Sequence, residues 1–169
     1  MKKKGIVIAG FAGVGKTTLA KKYKNVVDLE SSPYKYDYSI YDDIDYEKLK
    51  GRVDRVRNAN FPQNYIDAIN QAKQNYDVVL IWLCDEIMDL YKQSGIDFIV
   101  CYPNVEAFEE YTQRYILRGN SQTWINNAIR YYNRFVLNYL EQSNYKKIIL
   151  DKGETLEDKL IQLGVNLEK

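Results

Sequence analysis

The residues best suited to chemistry form one short stretch, Gly10-Phe11-Ala12-Gly13-Val14-Gly15-Lys16-Thr17-Thr18. This stretch fits G-x-x-x-x-G-K-[ST], the signature of a loop that binds phosphate groups. Backbone N–H groups of such a loop point at phosphate oxygens, and its glycines let the main chain curl tightly around them. Lys16 is expected to reach the β- and γ-phosphates of a nucleotide, and the Thr17 hydroxyl to ligate Mg²⁺. The residues expected to contact the nucleotide are Gly10, Ala12, Gly13, Val14, Gly15, Lys16, Thr17 and Thr18.

The elements on either side of this stretch agree with the motif. Residues 5–9 are apolar and β-branched, which indicates a buried strand, and residues 17–23 have the pattern of a helix. A helix that begins at the loop adds the positive end of its dipole to the phosphate site. The alternative is a chance glycine turn, but the motif and the order of the flanking elements both argue against it.

Alternating strand-like and helix-like stretches run along the whole chain of 169 residues. Asn104 and Ser121 are expected to cap helices, and Gly119 to end one in the left-handed conformation. Five strands alternating with helices predict a single α/β domain, residues 1–169, with a doubly wound parallel sheet. The predicted strands cover about residues 4–9, 25–30, 76–83, 96–102 and 146–150, and the predicted helices about 15–23, 62–74, 85–93, 104–117, 122–142 and 154–163.

Composition removes several classes of function. The formal net charge of +1 gives no global electrostatic basis for binding nucleic acid or a membrane, although it is compatible with a local basic groove. The chain contains no histidine, which excludes mechanisms that use histidine as a general base and excludes most transition-metal sites. Cys84 and Cys101 each end an apolar run and are expected to be buried core residues. The apolar run before Gly10 is too short for a signal peptide or membrane span, which predicts a cytoplasmic protein.

Acidic residues follow two predicted strands, at the edge where parallel sheets bind ligands. Asp28 and Glu30 end the second strand, and alternation puts them on the same face. They are candidates to bind a molecule that accepts a phosphoryl group, to orient the hydroxyl of that molecule or to hold a metal-bound water. The alternative is that they only solvate the end of the strand. Asp85 follows the apolar run 78–83 and is a candidate Mg²⁺ ligand through water. The favoured alternative is that Asp85 caps the next helix, because caps are common.

Two pairs of arginines lie at helical spacing in the second half of the chain. Arg114 and Arg118 are four residues apart, as are Arg130 and Arg134, so each pair shares one helix face. Glu110 is a local partner for Arg114, whereas no acid lies between residues 121 and 140. A bound polyanion would balance this charge, and a lid of arginines closing over phosphates is the expected arrangement. Pairing with a distant acid is the alternative for each arginine.

The long polar segment of residues 31–60 is a second candidate binding region, because such a segment inside a compact domain is usually functional or disordered. Arg52 and Arg57, with Arg55, could bind an acceptor phosphate through both guanidinium nitrogens. Acids at positions 42, 43, 45 and 54 support the alternative, a surface loop of mixed charge.

Taken together, these motifs resemble the nucleoside monophosphate kinase-like branch of P-loop proteins. The resemblance rests on the Gly10 to Thr18 loop, the Asp-Leu-Glu-Ser-Ser end of the second strand, and Arg-Tyr-Ile-Leu-Arg-Gly at residues 114–119 before a basic helix. Residues 61–66 and 102–104 also look like small nucleotide-kinase-like proteins of bacteria and their phages. The acceptor-base signatures of adenylate and thymidylate kinases are not found.

This resemblance implies a fold of the P-loop NTPase type, with an acceptor-binding insert at residues 31–60 and an arginine lid at about 114–134. It implies ATP with Mg²⁺ as the phosphoryl donor, and a nucleotide or nucleotide-like small molecule as the acceptor. One alternative is a kinase acting on a hydroxyl of a modified base in DNA, against which the near-neutral charge argues mildly. Another is a non-catalytic module that binds ATP or GTP.

Overall fold

The computed structural model describes residues 5–41 and 54–169. Five strands alternate with helices within these ranges, as the sequence predicts. The strands are β1 (Ile6–Gly10), β2 (Val26–Asp28), β3 (Val78–Trp82), β4 (Phe98–Pro103) and β5 (Lys147–Leu150). The α-helices are α1 (Lys16–Lys22), α2 (Ser32–Lys35), α3 (Gln63–Asn75), α4 (Asp85–Gln93), α5 (Phe108–Leu117), α6 (Gln122–Tyr131) and α7 (Leu156–Gln162), and a π-helix (Tyr132–Leu140) continues α6.

The five strands form one all-parallel sheet in the order β2-β3-β1-β4-β5. This confirms the predicted α/β architecture. Residues 78–81 of β3 are fully buried on both faces, as expected of a central parallel strand. In the register of the sheet, Gly10 pairs with Trp82 on one side and with Cys101 on the other. The loop that follows β1 therefore leaves the sheet near its centre, where the carboxyl ends of parallel strands form ligand sites.

The boundaries of the predicted helices agree with the structure except at two places, and the sequence pattern does not predict the short helix α2. The helix predicted from Asn104 begins at Phe108 instead, because the Asn104 Oδ1 accepts from the Ala107 N–H at 2.8 Å and stabilises an intervening turn. Ser121 caps α6 as predicted, accepting from the Trp124 N–H at 3.2 Å, and Gly119 has the predicted positive φ of 76°.

The second difference is the π-helix, which occupies 9 residues in the second part of the continuous helix predicted at 122–142. Its wider turns make i→i+5 hydrogen bonds, such as the one from the Glu141 N–H to the Val136 carbonyl at 3.0 Å. Aromatic rings four residues apart contact one another along this stretch, with centroid separations of 5.2 Å for the tilted pair of Tyr131 and Phe135 and 5.5 Å for the stacked pair of Phe135 and Tyr139. A sequence pattern of apolar spacing does not distinguish this geometry from an α-helix.

The predicted burial of both cysteines is confirmed, and Cys84 and Cys101 are free thiols in the core. Burial raises the pKa of the Cys84 thiol to about 11 and that of Cys101 to about 12. Throughout residues 5–41 and 54–169, no helix has both the length and the apolar character that crossing a bilayer requires.

Candidate functional site

The glycine-rich loop connects β1 directly to α1, and two of its glycines have backbone angles that favour glycine. Gly13 has a φ of 87° and Gly15 a φ of 94°. A Cβ at Gly13 would lie 3.0 Å from the Tyr115 ring and 3.2 Å from the Tyr111 ring, so the loop packs closely against α5. At Gly15 the same atom would meet nothing within 4 Å. The main chain is thus supported on one side and open on the other.

The interior of the loop is filled by its own side chains. Val14 is buried, and a Cβ at Gly10 would lie 2.9 Å from its Cγ2 atom. The Lys16 ammonium donates to the carbonyls of Gly10 at 2.9 Å and Phe11 at 3.3 Å. Burial lowers the pKa of Lys16, and the nearby Asp28 carboxylate works in the opposite direction. The cation is therefore held against the main chain that begins the loop.

Thr17 and Asp28 join the loop to the neighbouring strand β2. The Thr17 hydroxyl donates to the Asp28 Oδ2 at 2.7 Å. The Asp28 Oδ1 is buried and has no hydrogen-bond partner among the described residues. A buried carboxylate oxygen without a partner needs a water or an ion. Mg²⁺ takes oxygen ligands, usually one or two carboxylates plus waters and phosphates, so this pair fits a hydrated Mg²⁺.

A cleft of about 810 Å³ opens between the loop, the end of β2 and the turn from α5 to α6. From the loop it is lined by Ala12, Gly13, Gly15, Lys16, Thr17 and Thr18, from β2 onward by Asp28, Leu29, Glu30 and Ser31, and from the remaining elements by Trp82, Arg118, Gly119, Asn120, Ser121 and Trp124. Both tryptophans of the chain therefore face one cleft.

The four helical arginines separate into different environments. Arg118 lines the cleft, whereas Arg114 donates to the Gly13 carbonyl at 3.3 Å and lies 4.5 Å from the Tyr111 ring centroid. Arg114 thereby supports the loop from behind. Arg130 is exposed on α6 and does not line the cleft. Arg134 forms an ion pair with Asp85, at 2.9 Å.

Asp85 is the first residue of α4, and Cys84 holds the N-cap position without a side-chain cap hydrogen bond, so the prediction that Asp85 caps this helix is wrong. The negative charge of Asp85 instead lies in the first turn, where it interacts favourably with the positive end of the helix dipole. Its N–H donates to the Tyr131 hydroxyl at 3.0 Å, and its carboxylate pairs with Arg134. These contacts join α4 to α6 and to the π-helix that continues α6. Asp85 does not line the cleft that contains Thr17, so the two predicted metal ligands do not meet there.

The described part of the insert pairs its cations with aromatic rings. Arg57 forms an isolated antiparallel bridge with Tyr36, and its guanidinium lies 5.6 Å from the Phe61 ring centroid. The guanidinium of Arg55 lies 3.9 Å from the centroid of the Tyr36 ring. Neither arginine lines the cleft, and Arg52, with the acids at 42, 43 and 45, lies outside the described residues.

Buried tyrosine hydroxyls hold the main chain at the carboxyl edge of the sheet. The Tyr115 hydroxyl donates to the Ala12 carbonyl in the loop at 2.6 Å. Three more buried tyrosines donate to carbonyls at the ends of β2, β3 and β4: Tyr65 to Leu29 at 2.7 Å, Tyr91 to Trp82 at 3.1 Å and Tyr132 to Pro103 at 2.6 Å. Burial raises the pKa of all four phenols, which keeps them protonated as donors. Sequence reasoning missed this role, and the high tyrosine count of 16 was its one visible signal.

Only some of the predicted site residues in the described structure line the cleft. Comparison of the sequence with models of known protein families found no match, and comparison with curated proteins found none. The geometry of the cleft therefore carries the functional conclusion. Of the predicted residues outside the loop, those in the cleft are Asp28, Glu30 and Arg118, and those elsewhere in the described structure are Arg57, Asp85, Arg114, Arg130 and Arg134.

Proposed function

We propose that this protein is an ATP-dependent kinase of the P-loop type that transfers the γ-phosphoryl group to a nucleotide or nucleotide-like small acceptor. The observation that carries the proposal is the cleft in which the glycine loop, Lys16 and the Thr17–Asp28 pair meet. A curled main chain, a lysine and a hydroxyl next to a carboxylate are the groups that triphosphate binding with Mg²⁺ requires. A parallel sheet whose central strand leads into this loop supports the P-loop type.

The residues of the cleft would act mainly by positioning and by neutralising charge. Lys16 would turn from the Gly10 and Phe11 carbonyls to the phosphates, and Arg118 would approach them from the turn after α5. Thr17 and Asp28 would hold Mg²⁺, which neutralises charge on the phosphates. The new bond forms between an acceptor oxygen and the γ-phosphorus, while the bond from phosphorus to the β–γ bridging oxygen breaks and ADP leaves.

The distribution of charge around the cleft separates a donor side from an acceptor side. The cations that line it among the described residues, Lys16 and Arg118, belong to the loop and to the turn after α5. Glu30 lines it beside the end of β2 and is exposed. The Glu30 carboxylate on this wall suits an acceptor that reacts through a hydroxyl, because a carboxylate can accept its proton. This favours, as a second candidate, a nucleoside or a modified base in DNA that carries a hydroxyl group.

Alanine substitution of Lys16 tests the proposal. Lys16→Ala should lower the rate of phosphoryl transfer by about 10²-fold or more, because a cation aimed at the transferring group is lost. The matched control is Lys21→Ala, an exposed lysine on the same helix α1, which should retain the rate. The measurement is transfer from labelled ATP with Mg²⁺ to nucleoside monophosphates, nucleosides and duplex DNA with hydroxylated bases. Circular dichroism compares the folds of the variants.

Equal transfer by Lys16→Ala and the unmodified protein would contradict the catalytic assignment. Binding of ATP with Mg²⁺ without transfer to any acceptor would favour the non-catalytic module instead. Transfer to DNA alone would favour the modified-base kinase.

A further inference from the structure

Trp82 lines the cleft between the predicted phosphate site and the end of β2, where the phosphoryl donor and the phosphoryl acceptor would meet. It is the last residue of β3, and β3 lies between β1 and β2 in the sheet. Its neighbours in the cleft are therefore the phosphate loop, which follows β1, and residues 28–31 at the end of β2. Trp82 pairs in register with Gly10, the first residue of the loop. An indole is thus placed beside the predicted phosphate site, on its β2 side.

The main chain of Trp82 is fixed by two buried tyrosines. Its N–H donates to the Tyr65 hydroxyl at 3.0 Å, and its carbonyl accepts from the Tyr91 hydroxyl at 3.1 Å. Tyr65 also donates to the Leu29 carbonyl at 2.7 Å, which ties the ends of β2 and β3 together. A contact surface that is already ordered loses little entropy when a ligand binds.

The environment of the indole leaves part of its surface open to the cleft. The Lys35 ammonium lies 4.6 Å from the centroid of the Trp82 ring, a cation–π distance. Lys35 is not among the residues that line the cleft, whereas Trp82 is. Trp82 as a whole is only partly buried. A partly exposed indole that a fixed main chain presents at a cleft is a stacking surface for planar rings, and such stacking tolerates every nucleobase.

We propose that Trp82 is the stacking platform of the acceptor subsite and that the acceptor carries a planar aromatic ring of the nucleobase class. The proposal rests on the proposed function, because the phosphate loop defines which side of the cleft receives the acceptor. It adds a recognition element that the glycine loop does not supply, since phosphate binding alone does not select a ring.

Fluorescence gives a direct test, because the two tryptophans can be observed one at a time. In Trp124→Phe, Trp82 is the single tryptophan, and in Trp82→Phe it is Trp124. Each variant is loaded with Mg²⁺ and a non-hydrolysable ATP analogue and titrated with nucleosides, their monophosphates, ribose and glycerol. We expect saturable quenching of Trp82 by at least one nucleobase-containing probe and none by ribose or glycerol. Quenching confined to Trp124, equal binding of the polyols, or no response of Trp82 overturns the proposal.

Kinetics gives a second test, which separates an acceptor contact from a structural role. Trp82→Leu should raise the KM for the acceptor by about tenfold or more, because stacking is lost, while the KM for ATP changes by less than about twofold. Trp82→Phe should restore much of the acceptor KM. Equal increases of both KM values, or no increase in the acceptor KM, contradict the platform.

The two proposals fail in distinguishable ways. Calorimetry that detects no binding of ATP with Mg²⁺ would refute the proposed kinase. If ATP binding and phosphoryl transfer are normal and substitution of Trp82 does not change the KM for the acceptor, only the stacking platform is refuted. If Trp82→Leu does not fold, the fluorescence of Trp124→Phe still decides, because that variant keeps Trp82 in place.

Discussion

At the scale of single residues, the contact that most defines the cleft is the one between Thr17 and Asp28. Thr17 belongs to the motif, but Asp28 comes from the end of β2, and a strand-end acid is ambiguous by itself. Their 2.7 Å hydrogen bond leaves the second carboxylate oxygen buried and unpartnered within the described residues. A group in this state is stabilised by an ion or a water rather than by the protein. The contact favours the metal-holding role over simple solvation of the strand end.

The charge of Asp28 should therefore affect how much Mg²⁺ contributes to the binding of ATP. Asp28→Asn keeps the size of the side chain and removes its charge, so the gain in ATP affinity that Mg²⁺ provides should fall by about tenfold or more. Calorimetric titration of ATP with and without Mg²⁺ measures this difference. The control is Asp67→Asn, whose carboxylate accepts from the Gln63 side chain on the exposed face of α3. An unchanged Mg²⁺ effect in Asp28→Asn would argue against a metal role for this residue.

At the scale of elements, α5 and the turn after it provide one wall of the site, whereas the π-helix does not. Arg118 follows α5 directly and lines the cleft. Arg134 is in the π-helix, and its ion pair with Asp85 joins that helix to α4. The sequence predicts the same role for both arginines, because each belongs to a pair at helical spacing. Their placement indicates a positively charged wall at the turn between α5 and α6.

The two arginines should therefore respond differently to substitution. Arg118→Ala should lower the rate of phosphoryl transfer by about 10²-fold or more, because a cation facing the phosphates is lost. Arg134→Ala should leave that rate unchanged and lower the free energy of unfolding by about 1 kcal/mol or less, since exposed ion pairs contribute little. Steady-state kinetics and urea denaturation measure the two quantities. The opposite ranking of the rates would place the lid arginine in the π-helix.

At the scale of the whole molecule, the two ends of the parallel strands have different roles. The cleft lies at the carboxyl ends of the strands, and the C-terminal segment binds near their amino ends. Asn25, just before β2, donates to the Asp77 carboxylate and to the Asn166 carbonyl, both at 2.8 Å. Its Oδ1 accepts from the Glu168 N–H at 2.9 Å. This buried amide therefore joins the start of β2 to the segment before β3 and to the C-terminal segment.

Asn25 should therefore affect stability without affecting the site. Asn25→Ala removes the three hydrogen bonds that this buried amide makes, so the free energy of unfolding should fall by about 2 kcal/mol. The affinity for ATP with Mg²⁺ should stay the same, because the cleft lies at the carboxyl ends of the strands. Asn75→Ala is the control, since the Asn75 side chain contacts only the Gln71 carbonyl of its own helix among the described hydrogen bonds. Urea denaturation and calorimetry test this, and a loss of affinity with unchanged stability would contradict it.

The sequence alone determined the features that depend on neighbours in the chain. The strand, glycine loop and helix around Gly13 follow from local composition and backbone sterics, and the β-branched apolar runs predict a parallel sheet. The cap at Ser121 and the left-handed Gly119 are local for the same reason. These features are readable because each depends on residues only a few positions apart.

Only the tertiary structure decided which distant side chains meet. Thr17 and Asp28 are separated by 11 residues, the Arg134–Asp85 pair joins two helices, and Tyr115 reaches Ala12 across 103 residues. Periodicity states which face of an element a side chain occupies, but the partner on that face depends on how the elements pack. For that reason the sequence predicted a phosphate loop, while packing placed Arg118 but not Arg134 at the cleft and brought both tryptophans to it.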